Sequence, residues 1–373
     1  MKKRILILSN HFITLYNFRK ELIERLILEG HEIYISMPKA YENKYFTDLG
    51  CEIIETHVDR RGLNPIRDFG LIIKYLKVIK NIDPDIIFSY TIKPNIYGSL
   101  ASNIIRYKQV CNITGTGATF LKNNIVSMIV KLLYKLSVRR SYKVFFQNIG
   151  DRDFFRKNNM IRSNYAMIPG SGVNLNQYSL CELPPADTIS FIFIGRVMEL
   201  KGIEQYLECA KVVKENYPNT NFYLAGFIEE EKYKGVIEEY NGKGIINYIG
   251  FQRDIKPWIQ KCYCTILPSH GGEGVPNVLL ESAAMGRVCI ASNIDGSKDV
   301  IDDRVTGYLF ETGDAIDLIN TVKQFLDLDY EEMKKMGLSA RQKVEKEFDR
   351  NIVIDAYLGE LVGESEIQNE KIC

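Results

Sequence analysis

The sequence has 373 residues, 46% of them apolar and 25% charged, and this ordinary composition excludes a disordered, collagenous or disulfide-scaffold protein. The chain is about twice as long as a typical domain, so we expect two domains. The 48 Lys+Arg and 47 Asp+Glu almost cancel, but residues 1–180 hold 27 basic and 14 acidic side chains, whereas residues 181–373 hold 21 and 33. A basic first half is therefore joined to an acidic second half.

Cysteine and histidine usage argues against structural metal sites and disulfides. The eight cysteines form no C-x-x-C pair, and the four histidines are too scattered to suggest a zinc site, which favours a reducing cytoplasm. The apolar run Ile5–Leu8 after the basic N-terminus is too short for a signal peptide, and no apolar stretch approaches the ~20 residues of a spanning helix. We expect a cytoplasmic protein that is neither secreted nor transmembrane.

Short apolar runs alternate with amphipathic segments along the first half of the chain. Helical periodicity is clear over Phe18–Glu29, which Gly30 ends, and over Leu71–Lys80. Strands that are almost continuously apolar and separated by helices indicate parallel βαβ units buried on both faces. The predicted strands of this half are Ile5–Leu8, Ile33–Ser36, Ile53–Glu55, Asp85–Ser89, Gln109–Ile113, Val144–Gln147 and Tyr165–Ile168.

A proline-containing break at Ser179–Asp187 interrupts the pattern, which then begins again. A last helical stretch, Tyr330–Leu361, is long enough to return to the first domain. We predict an α/β protein of two doubly wound, Rossmann-like domains facing a central cleft: residues 1–183, residues 184–347, and a C-terminal helix at about 348–373 that packs back on the first domain. The predicted strands of the second half are Ser190–Ile194, Asn221–Ala225, Ile245–Ile249, Cys264–Leu267, Val288–Ala291 and Gly307–Phe310.

The strongest motif is H-G-G-E-G-V-P-N-V-L-L-E, which runs from His270 to Glu281 after a buried strand and leads into a helix. Pro276 suits the first helical turn, the glycines let a ligand approach the backbone, and the N–H groups at the helix start can bind an anion. Glu273 and Glu281 could hold hydroxyls of a sugar and of a ribose. The simpler alternative is an ordinary glycine-rich turn before a helix, with a solvated Glu.

A second motif, G-R-V-M-E-L-K-G, covers Gly195–Gly202 after the first predicted strand of the second domain. Arg196 offers a bidentate fork for phosphate, and Lys201 offers a compact charge. Two surface cations in a loop are the alternative explanation. Because both motifs follow strands of one predicted parallel sheet, their joint occurrence favours a ligand site.

The two motifs, G-R-x-x-x-x-K-G and E-G-x-P-x-x-x-x-E, resemble those of the nucleotide-sugar glycosyltransferases of the GT-B fold, specifically the retaining family 4. The resemblance covers essentially the whole chain and includes Ile168–Asn174 (I-P-G-S-G-V-N) and Gly307–Asp314 (G-Y-L-F-E-T-G-D). It implies that Arg196 and Lys201 bind the donor diphosphate, that Glu281 holds the ribose and that Glu273 contacts the donor sugar. The remaining donor-binding residues that it implies are Phe251 beside the base and Gly274, Val275, Asn277 and Val278 at the helix start.

The same resemblance implies the chemistry. A hexose or an N-acetylhexosamine would move from a UDP-sugar with retention of anomeric configuration. Arg196, Lys201, Glu273 and the nearby N–H groups would act in catalysis and stabilise charge on the departing diphosphate. The UDP-sugar is a substrate, so no cofactor is expected. No Asp-x-Asp stands at a predicted strand end, and no metal is implied.

Two segments of the first half point to a subgroup. Asp59–Pro65 (D-R-R-G-L-N-P) and Asn112–Phe120 (N-I-T-G-T-G-A-T-F) resemble bacterial transferases that extend saccharides on undecaprenyl diphosphate for capsule, O-antigen or N-glycan repeat units, adding N-acetylhexosamine and often N-acetylgalactosamine. A polyprenyl-diphosphate-linked saccharide is therefore the implied acceptor. For His11, a role in packing or in lining the cleft is the alternative, and for Arg60 and Arg61 the alternative is an ordinary surface location. The candidate acceptor residues are His11, Arg60, Arg61, Thr116 and Gly117.

The stretch Phe120–Lys143 carries six cations and no acid, with apolar residues dominating Ile125–Leu136. Such a helix can lie in the interface of an anionic membrane, or it can pack on the sheet of the first domain with a cationic rim, and both can hold at once. We expect peripheral attachment to the inner face of the plasma membrane and no nucleic-acid partner. The acidic run Glu229–Glu231 is interpreted as a solvated loop face.

Three alternative functions remain open at this stage. A non-hydrolysing UDP-sugar epimerase shares the two-domain fold and the donor class, but the four histidines are poorly placed for it. A glycosidase needs paired carboxylates that flank one bond, whereas Glu273 and Glu281 are assigned to different parts of one ligand. A non-catalytic sugar-nucleotide-binding protein would need neither the phosphate-directed cations nor the basic first domain.

Overall fold

The computed structural model describes residues 1–59, 64–117, 120, 124–185 and 188–362. The chain divides into two compact units, which we call unit 1 (Met1–Ser171 with the chain from Asn351 onward) and unit 2 (Gly172–Arg350). The chain crosses between the units at Ser171–Gly172 and at Arg350–Asn351, whereas the sequence predicts crossings at residues 183–184 and 347–348.

Unit 1 is built on a parallel sheet in the order β3-β2-β1-β4-β5-β6-β7. Each strand overlaps a strand predicted from the sequence, and the central strands β1, β4 and β5 are the most completely buried, as expected where helices cover both faces of a sheet. The strands are β1 (Arg4–Leu8), β2 (Glu32–Met37), β3 (Glu52–Glu55), β4 (Ile86–Tyr90), β5 (Gln109–Ile113), β6 (Lys143–Phe146) and β7 (Tyr165–Met167).

Helices cover the two faces of this sheet. Leu6 and Leu8 of β1 belong to a core shared with α3, α4, α5 and α6, whereas Ile5 and Ile7 point to the opposite core, shared with α1, α2 and α14. The helices of this unit are α1 (Phe12–Leu28), α2 (Lys44–Asp48), α3 (Pro65–Ile82), α4 (Ile92–Ile105), α5 (Ile125–Leu136), α6 (Ile149–Lys157) and α14 (Arg350–Gly359).

Two helices of unit 1 begin earlier than their apolar periodicity indicates. The His11 ring caps α1 by accepting the N–H of Ile13, and the Asn64 side chain caps α3 by accepting the N–H groups of Ile66 and Arg67. A cap residue supplies the acceptor that the first free N–H groups of a helix lack. The extra first turns lie at the carboxyl edge of the sheet, where sites of parallel α/β proteins form.

Unit 2 has a second parallel sheet, in the order β10-β9-β8-β11-β12-β13, and each strand again overlaps a predicted one. Its strands are β8 (Ile189–Ile194), β9 (Thr220–Ala225), β10 (Asn247–Gly250), β11 (Cys264–Leu267), β12 (Val288–Ser292) and β13 (Gly307–Phe310). Its helices are α7 (Ile203–Asn216), α8 (Lys234–Gly242), α9 (Lys256–Lys261), α10 (Asn277–Ala284), α11 (Asp295–Val300), α12 (Ala315–Leu326) and α13 (Tyr330–Glu347).

The predicted helical stretch Tyr330–Leu361 is divided in the structure into two helices, α13 and α14. The chain between them pairs with Val173: the Val173 N–H donates to the Phe348 carbonyl at 2.8 Å, and the Arg350 N–H donates to the Val173 carbonyl at 3.0 Å. Those bonds replace helical ones, and the backbone leaves the helix between Glu347 and Arg350. Helical periodicity on either side gave no sign of this strand-like pairing.

Candidate functional site

Both motifs of unit 2 lie at the switch point of its sheet. The order β10-β9-β8-β11-β12-β13 reverses direction between β8 and β11, because the chain continues from β8 to β9 on one side and from β11 to β12 on the other. The first motif loop, Gly195–Gly202, follows β8, and the second, Pro268–Pro276, follows β11. Ligands of doubly wound sheets bind in the crevice that such a reversal creates. The sequence prediction that both motifs follow strands of one parallel sheet is confirmed, and the structure shows that the two strands are neighbours.

Close backbone contact joins the two motif loops. Gly202 has φ +69°, and a Cβ at this position would lie 1.8 Å from the carbonyl oxygen of Pro268. The His270 N–H also donates to the Leu200 carbonyl at 2.9 Å. Only glycine combines that backbone angle with that approach, so the last residue of the G-R-V-M-E-L-K-G motif fixes the position of the second loop.

The side chains of Lys201 and Glu273 form the central contact of the site. Lys201 Nζ lies 2.6 Å from Glu273 Oε1, and both side chains are largely buried. The hydroxyl of Ser269 donates to the same carboxylate oxygen. A lysine and a glutamate that are far apart in sequence are therefore held together at the switch point by a charge-assisted hydrogen bond.

Arg196, the other cation of the first motif, lies beside Glu229 of the loop after β9. Its Nη1 is 3.7 Å from Glu229 Oε1. The Glu229 side chain is only 15% exposed, whereas that of Glu231 is 83% exposed. The interpretation of Glu229–Glu231 as a solvated face is therefore wrong for Glu229, because Val197 pairs with Ile228 and carries the loop after β9 up against the first motif.

The second motif loop leads into the N-terminus of α10. Pro276 is the residue before the helix, with ψ 115°, so the helix begins at Asn277 and not at the proline. Val275 is buried in the core and Val278 packs against it, which leaves their backbone, but not their side chains, for a ligand. The first N–H groups of a helix lack intrahelical acceptors and attract anions.

A second close approach holds this loop from the other side. A Cβ on Gly296, in α11, would lie 1.7 Å from the carbonyl oxygen of Gly274. The Asn277 Oδ1 atom is buried and accepts no hydrogen bond from the residues that the structure describes. The loop is thus fixed by its neighbours, while a polar atom at the helix start is left for a further partner.

Glu281 lies in the second turn of α10 and contacts residues that sequence analysis did not select. Burial raises the pKa of Glu281 to about 7, while a hydrogen bond from the Tyr178 hydroxyl and the nearby positive charge of Arg350 act to lower it. Burial and the Glu281 carboxylate raise the pKa of the Tyr178 hydroxyl. Residues 178, 281 and 350 come together only in the fold, and no local sequence signal links them.

Phe251 follows β10 at the edge of the same sheet. Its side chain is 64% exposed, and it comes directly after Gly250, which has φ +65°. The loop after β9 is tied to this strand end, because the Gly226 N–H donates to the Gly250 carbonyl at 2.8 Å. An exposed ring at the carboxyl edge of the sheet has the flat apolar surface that stacking on a base requires.

The candidate acceptor residues of unit 1 lie at its carboxyl edge where they are described. His11 follows β1 and accepts the Ile13 N–H on Nδ1 at 3.1 Å, so capping α1 accounts for one ring nitrogen. Thr116 and Gly117 follow β5, two strands away, and both are partly buried. The remaining two candidates, Arg60 and Arg61, lie outside the described residues.

Sequence analysis missed a strained residue between these positions. Thr91 follows β4 and has φ +73°, and its Oγ1 is buried without a hydrogen-bond partner among the described residues. A β-branched residue rarely adopts a left-handed backbone, and such strain concentrates at functional sites. The threonine itself carries no sequence signal, because its type does not reveal its backbone angle.

The structure contains two further negative findings. Within the described ranges, no group of three or more His, Cys, Asp or Glu side chains could hold a metal ion. In the same part of the chain, no helix combines the length and the apolarity that crossing a bilayer requires. The described site thus offers two cations, the three carboxylates of Glu229, Glu273 and Glu281, a helix N-terminus and an exposed ring. This set is suited to an anionic ligand that also carries hydroxyl groups.

Comparison with known families agrees with this chemistry. The profile of the family described as "Glycosyl transferases group 1" matches residues 182–343, which include both motifs of unit 2. The profile described as "Glycosyl transferase 4-like" matches residues 4–148 of unit 1. The two matched stretches take in β1–β6 and β8–β13.

Individual relatives extend along the whole chain. The sequence is 26% identical to an N,N'-diacetylbacillosaminyl-diphospho-undecaprenol alpha-1,3-N-acetylgalactosaminyltransferase of Campylobacter jejuni, over 95% of this chain and 97% of that protein. It is 23% identical to a UDP-Gal:alpha-D-GlcNAc-diphosphoundecaprenol alpha-1,3-galactosyltransferase of Escherichia coli, over 72% of this chain and 73% of that protein.

Solved structures share the fold at lower identity. A glycosyltransferase from Rickettsia africae superposes with a TM-score of 0.80 at 19% identity, covering 96% of this chain and 97% of that one. HepE from Anabaena, solved in complex with UDP and glucose, superposes with a TM-score of 0.77 at 15% identity, covering 96% and 99%. The fold is therefore GT-B.

The fold and the family profiles together define a nucleotide-sugar glycosyltransferase. The chain belongs to glycosyltransferase family 4, whose members retain the anomeric configuration and need no metal ion. Family membership makes the protein a transferase, so the epimerase, the glycosidase and the non-catalytic binding protein are not supported.

Proposed function

We propose that the protein transfers an N-acetylhexosamine, best N-acetylgalactosamine, from a UDP-sugar to a polyprenyl-diphosphate-linked saccharide in the assembly of a bacterial surface polysaccharide or glycan. The observation that carries this proposal is that the loop bearing Arg196 and Lys201 and the loop leading into α10 follow β8 and β11, the two strands at the switch point of one sheet. The likeness to the Campylobacter jejuni enzyme over nearly the full length supports the choice of donor and acceptor.

In this proposal the donor lies along the carboxyl edge of unit 2. Arg196, Lys201 and the N–H groups from Gly274 to Val278 bind the diphosphate, because cations and a helix N-terminus favour negative charge. The ribose hydroxyls bind the Glu281 carboxylate, and the base stacks near Phe251. Asn277 contributes its backbone and its unpartnered Oδ1.

The Lys201–Glu273 ion pair suggests how this site responds to the donor. Without donor, the lysine charge is balanced by Glu273 at 2.6 Å. An arriving diphosphate supplies a stronger anionic partner for Lys201, and Glu273 becomes available to accept hydroxyl groups of the donor sugar. The pair therefore holds both side chains in place without leaving a buried charge uncompensated.

The chemical step that we propose is a same-face substitution at the anomeric carbon. The bond from that carbon to the diphosphate oxygen breaks, and the acceptor oxygen bonds to the same face of the sugar. The acceptor hydroxyl proton passes to a phosphate oxygen of the departing diphosphate, so no protein base is required. Arg196 and Lys201 stabilise the charge that develops on the leaving group, as preorganised electrostatic donors do.

The acceptor is assigned to unit 1, at the edge that bears His11, Thr116 and Gly117. Thr91 lies at the same edge, and its strained backbone and its hydroxyl, which has no hydrogen-bond partner in the described part of the chain, support a role there. We extend the proposal to Arg60 and Arg61, on sequence grounds alone, as cations for the acceptor diphosphate. A lipid-linked acceptor also favours peripheral attachment to the cytoplasmic face of the membrane.

A transfer assay tests the proposal. The full chain is incubated with UDP-N-acetylgalactosamine, UDP-N-acetylglucosamine, UDP-galactose or UDP-glucose, each together with a short polyprenyl-diphosphate-linked saccharide. The mass of the product is then measured by mass spectrometry. We expect addition of one N-acetylhexosamine, fastest from UDP-N-acetylgalactosamine. Transfer of a plain hexose only would overturn the donor assignment, and interconversion of UDP-sugars without any acceptor would identify an epimerase instead.

A further inference from the structure

The solvent-exposed face of α5 is apolar, whereas the exposed face of an ordinary surface helix is polar. Five large apolar side chains of this helix are between 47% and 75% exposed: Ile125, Met128, Ile129, Leu132 and Leu136. The side chains that α5 buries against the sheet are Ser127, Val130 and Tyr134. A helix of a soluble protein normally directs its apolar stripe inward, so this stripe indicates an interaction surface.

A second helix on the same face of the sheet repeats the pattern. Ile66, Phe69 and Ile73 of α3 are 40–84% exposed, while Leu71, Tyr75 and Val78 of that helix are buried. α4 packs against both α3 and α5, so the two exposed stripes flank it on one side of unit 1. We call these eight exposed side chains the α3/α5 face.

Cations predominate on and beside the α3/α5 face, where a neighbouring ion pair joins Arg67 Nη1 to Asp59 Oδ2 at 3.9 Å. Lys135, Arg140, Arg67, Lys74 and Lys77 are exposed on or beside the two helices. The one acidic residue within α3, α4 and α5 is Asp68, which is buried, with its Oδ1 2.6 Å from Lys93 Nζ and its Oδ2 accepting from the Tyr97 hydroxyl at 2.8 Å. These helices thus present apolar and cationic groups to solvent and no exposed carboxylate.

The α3/α5 face lies toward the end of unit 1 where the candidate acceptor residues are. α3 follows β3 and α5 follows the segment after β5, so both helices begin at the carboxyl edge of the sheet. Ile66 and Phe69 stand in the first turns of α3, and Ile125, Met128 and Ile129 stand in the first turns of α5. A partner that covers this face therefore comes close to the edge that bears His11 and Thr116.

We propose that the α3/α5 face docks on a bilayer that contains anionic lipids, with its apolar side chains at the headgroup–acyl boundary and the neighbouring Lys and Arg at lipid phosphates. This inference deepens the proposed function, since it says which surface meets the membrane that carries the acceptor. A second copy of the chain is the less suitable occupant. A symmetric interface would bring two cationic faces together without an exposed acid on these helices to balance them.

Vesicle co-sedimentation of the full chain, without donor or acceptor, tests the docking surface. The vesicles contain equal parts of phosphatidylglycerol and phosphatidylcholine, or phosphatidylcholine alone. We expect binding to the anionic vesicles that weakens but persists at high salt, because screening removes only the electrostatic part. Met128→Glu with Leu132→Glu is expected to lower the partition coefficient ~100-fold, since two apolar side chains are lost from the interface.

The matched control is Leu28→Glu with Ile316→Glu, two exposed apolar residues on α1 and α12 outside the α3/α5 face. It should bind vesicles like the unchanged chain, and both double variants should melt at the same temperature. Equal vesicle binding by the two double variants would overturn the proposal. So would a chain that binds no vesicles but changes from dimer to monomer when Met128 and Leu132 are replaced.

A transfer assay with a water-soluble, short-chain acceptor separates this inference from the proposed function. The Met128→Glu, Leu132→Glu variant should transfer sugar to that acceptor at the unchanged rate, because neither residue lies in the proposed site. Vesicle binding by a chain that transfers no sugar to any acceptor would leave the docking surface standing and overturn the proposed function.

Discussion

The two units are built alike but use their charges differently. Unit 1 carries 28 Lys+Arg and 19 Asp+Glu, many of the cations lying along outer helices, whereas unit 2 carries 20 and 28. The acidic unit nevertheless holds Arg196 and Lys201 at the switch point of its sheet, each beside a carboxylate. Net charge therefore describes how a whole unit meets a surface, while a few positioned charges decide what its site binds.

The largest effect is expected where the two motif loops of unit 2 touch through their backbone. Gly202→Ala would place a Cβ 1.8 Å from the Pro268 carbonyl oxygen at φ +69°. We expect the free energy of unfolding of unit 2 to fall by ~3 kcal/mol or more. Urea unfolding followed by the fluorescence of Trp258, the only tryptophan of the chain, reports on this unit.

Gly235→Ala is the matched control, because a Cβ at that helical position meets nothing within 4 Å. Its stability should stay equal or rise by up to ~1 kcal/mol, as expected for Ala over Gly in a helix. Equal midpoints for the two variants would show that the two motif loops are not locked together by Gly202.

The next effect concerns the cations of unit 2. Lys201→Ala should lower kcat/KM for the UDP-sugar at least ~10-fold, about 1.4 kcal/mol, because the lysine charge stabilises the departing diphosphate. Lys334→Ala removes an exposed lysine of α13 from the same unit and should leave the value unchanged. A Lys201→Ala enzyme with ordinary kcat/KM would exclude this residue from the site.

A smaller effect is expected from pH. Burial raises the pKa of Glu281 to about 7, so the folded state binds this proton more tightly than the unfolded chain does. The contribution of Glu281 to the free energy of unfolding should therefore fall as the pH rises from about 4.5 to about 7, and Glu281→Gln should remove that slope. Urea midpoints at a series of pH values measure it, and an unchanged slope in the variant would contradict the buried environment of Glu281.

Tyr178→Phe tests the environment of Glu281 through its effect on UDP binding. The variant loses a hydrogen bond that lowers the pKa of Glu281, so the carboxylate form, which accepts ribose hydroxyls, should appear only at higher pH. UDP affinity near pH 7 should fall by roughly 2- to 10-fold and recover at higher pH. Tyr240→Phe in α8 is the control, and a loss that does not recover with pH would assign Tyr178 a purely structural role.

Much of the fold could be predicted because buried parallel strands are recognisable in the sequence as short apolar runs. Each strand from β1 to β13 overlaps a predicted one, and the two motifs follow strands of one parallel sheet, as expected. The strand-like pairing between α13 and α14 could not be predicted, since it joins Asp349 to Val173, far away in the sequence. Likewise, Tyr178 and Arg350 reach Glu281 only through tertiary structure.

The orientation of α5 shows the same limit. Its sequence predicts an amphipathic helix, but periodicity does not say whether the apolar stripe faces the sheet or the solvent. The structure buries Ser127 and leaves Met128 and Ile129 exposed, because Val130 and Tyr134 complete the core on that side. An outward apolar stripe is therefore a finding of the structure.

The central claim is that the switch point of unit 2 binds the nucleotide diphosphate of the donor. Calorimetric titration of UDP into the full chain, with EDTA present, tests this claim most directly. Three proteins are compared: the unchanged protein, a double variant that carries both Arg196→Ala and Lys201→Ala, and the Lys334→Ala control. We expect binding by the unchanged protein and by the control, and at least ~100-fold weaker binding by the double variant, about 2.7 kcal/mol. Equal affinity in all three proteins would contradict it.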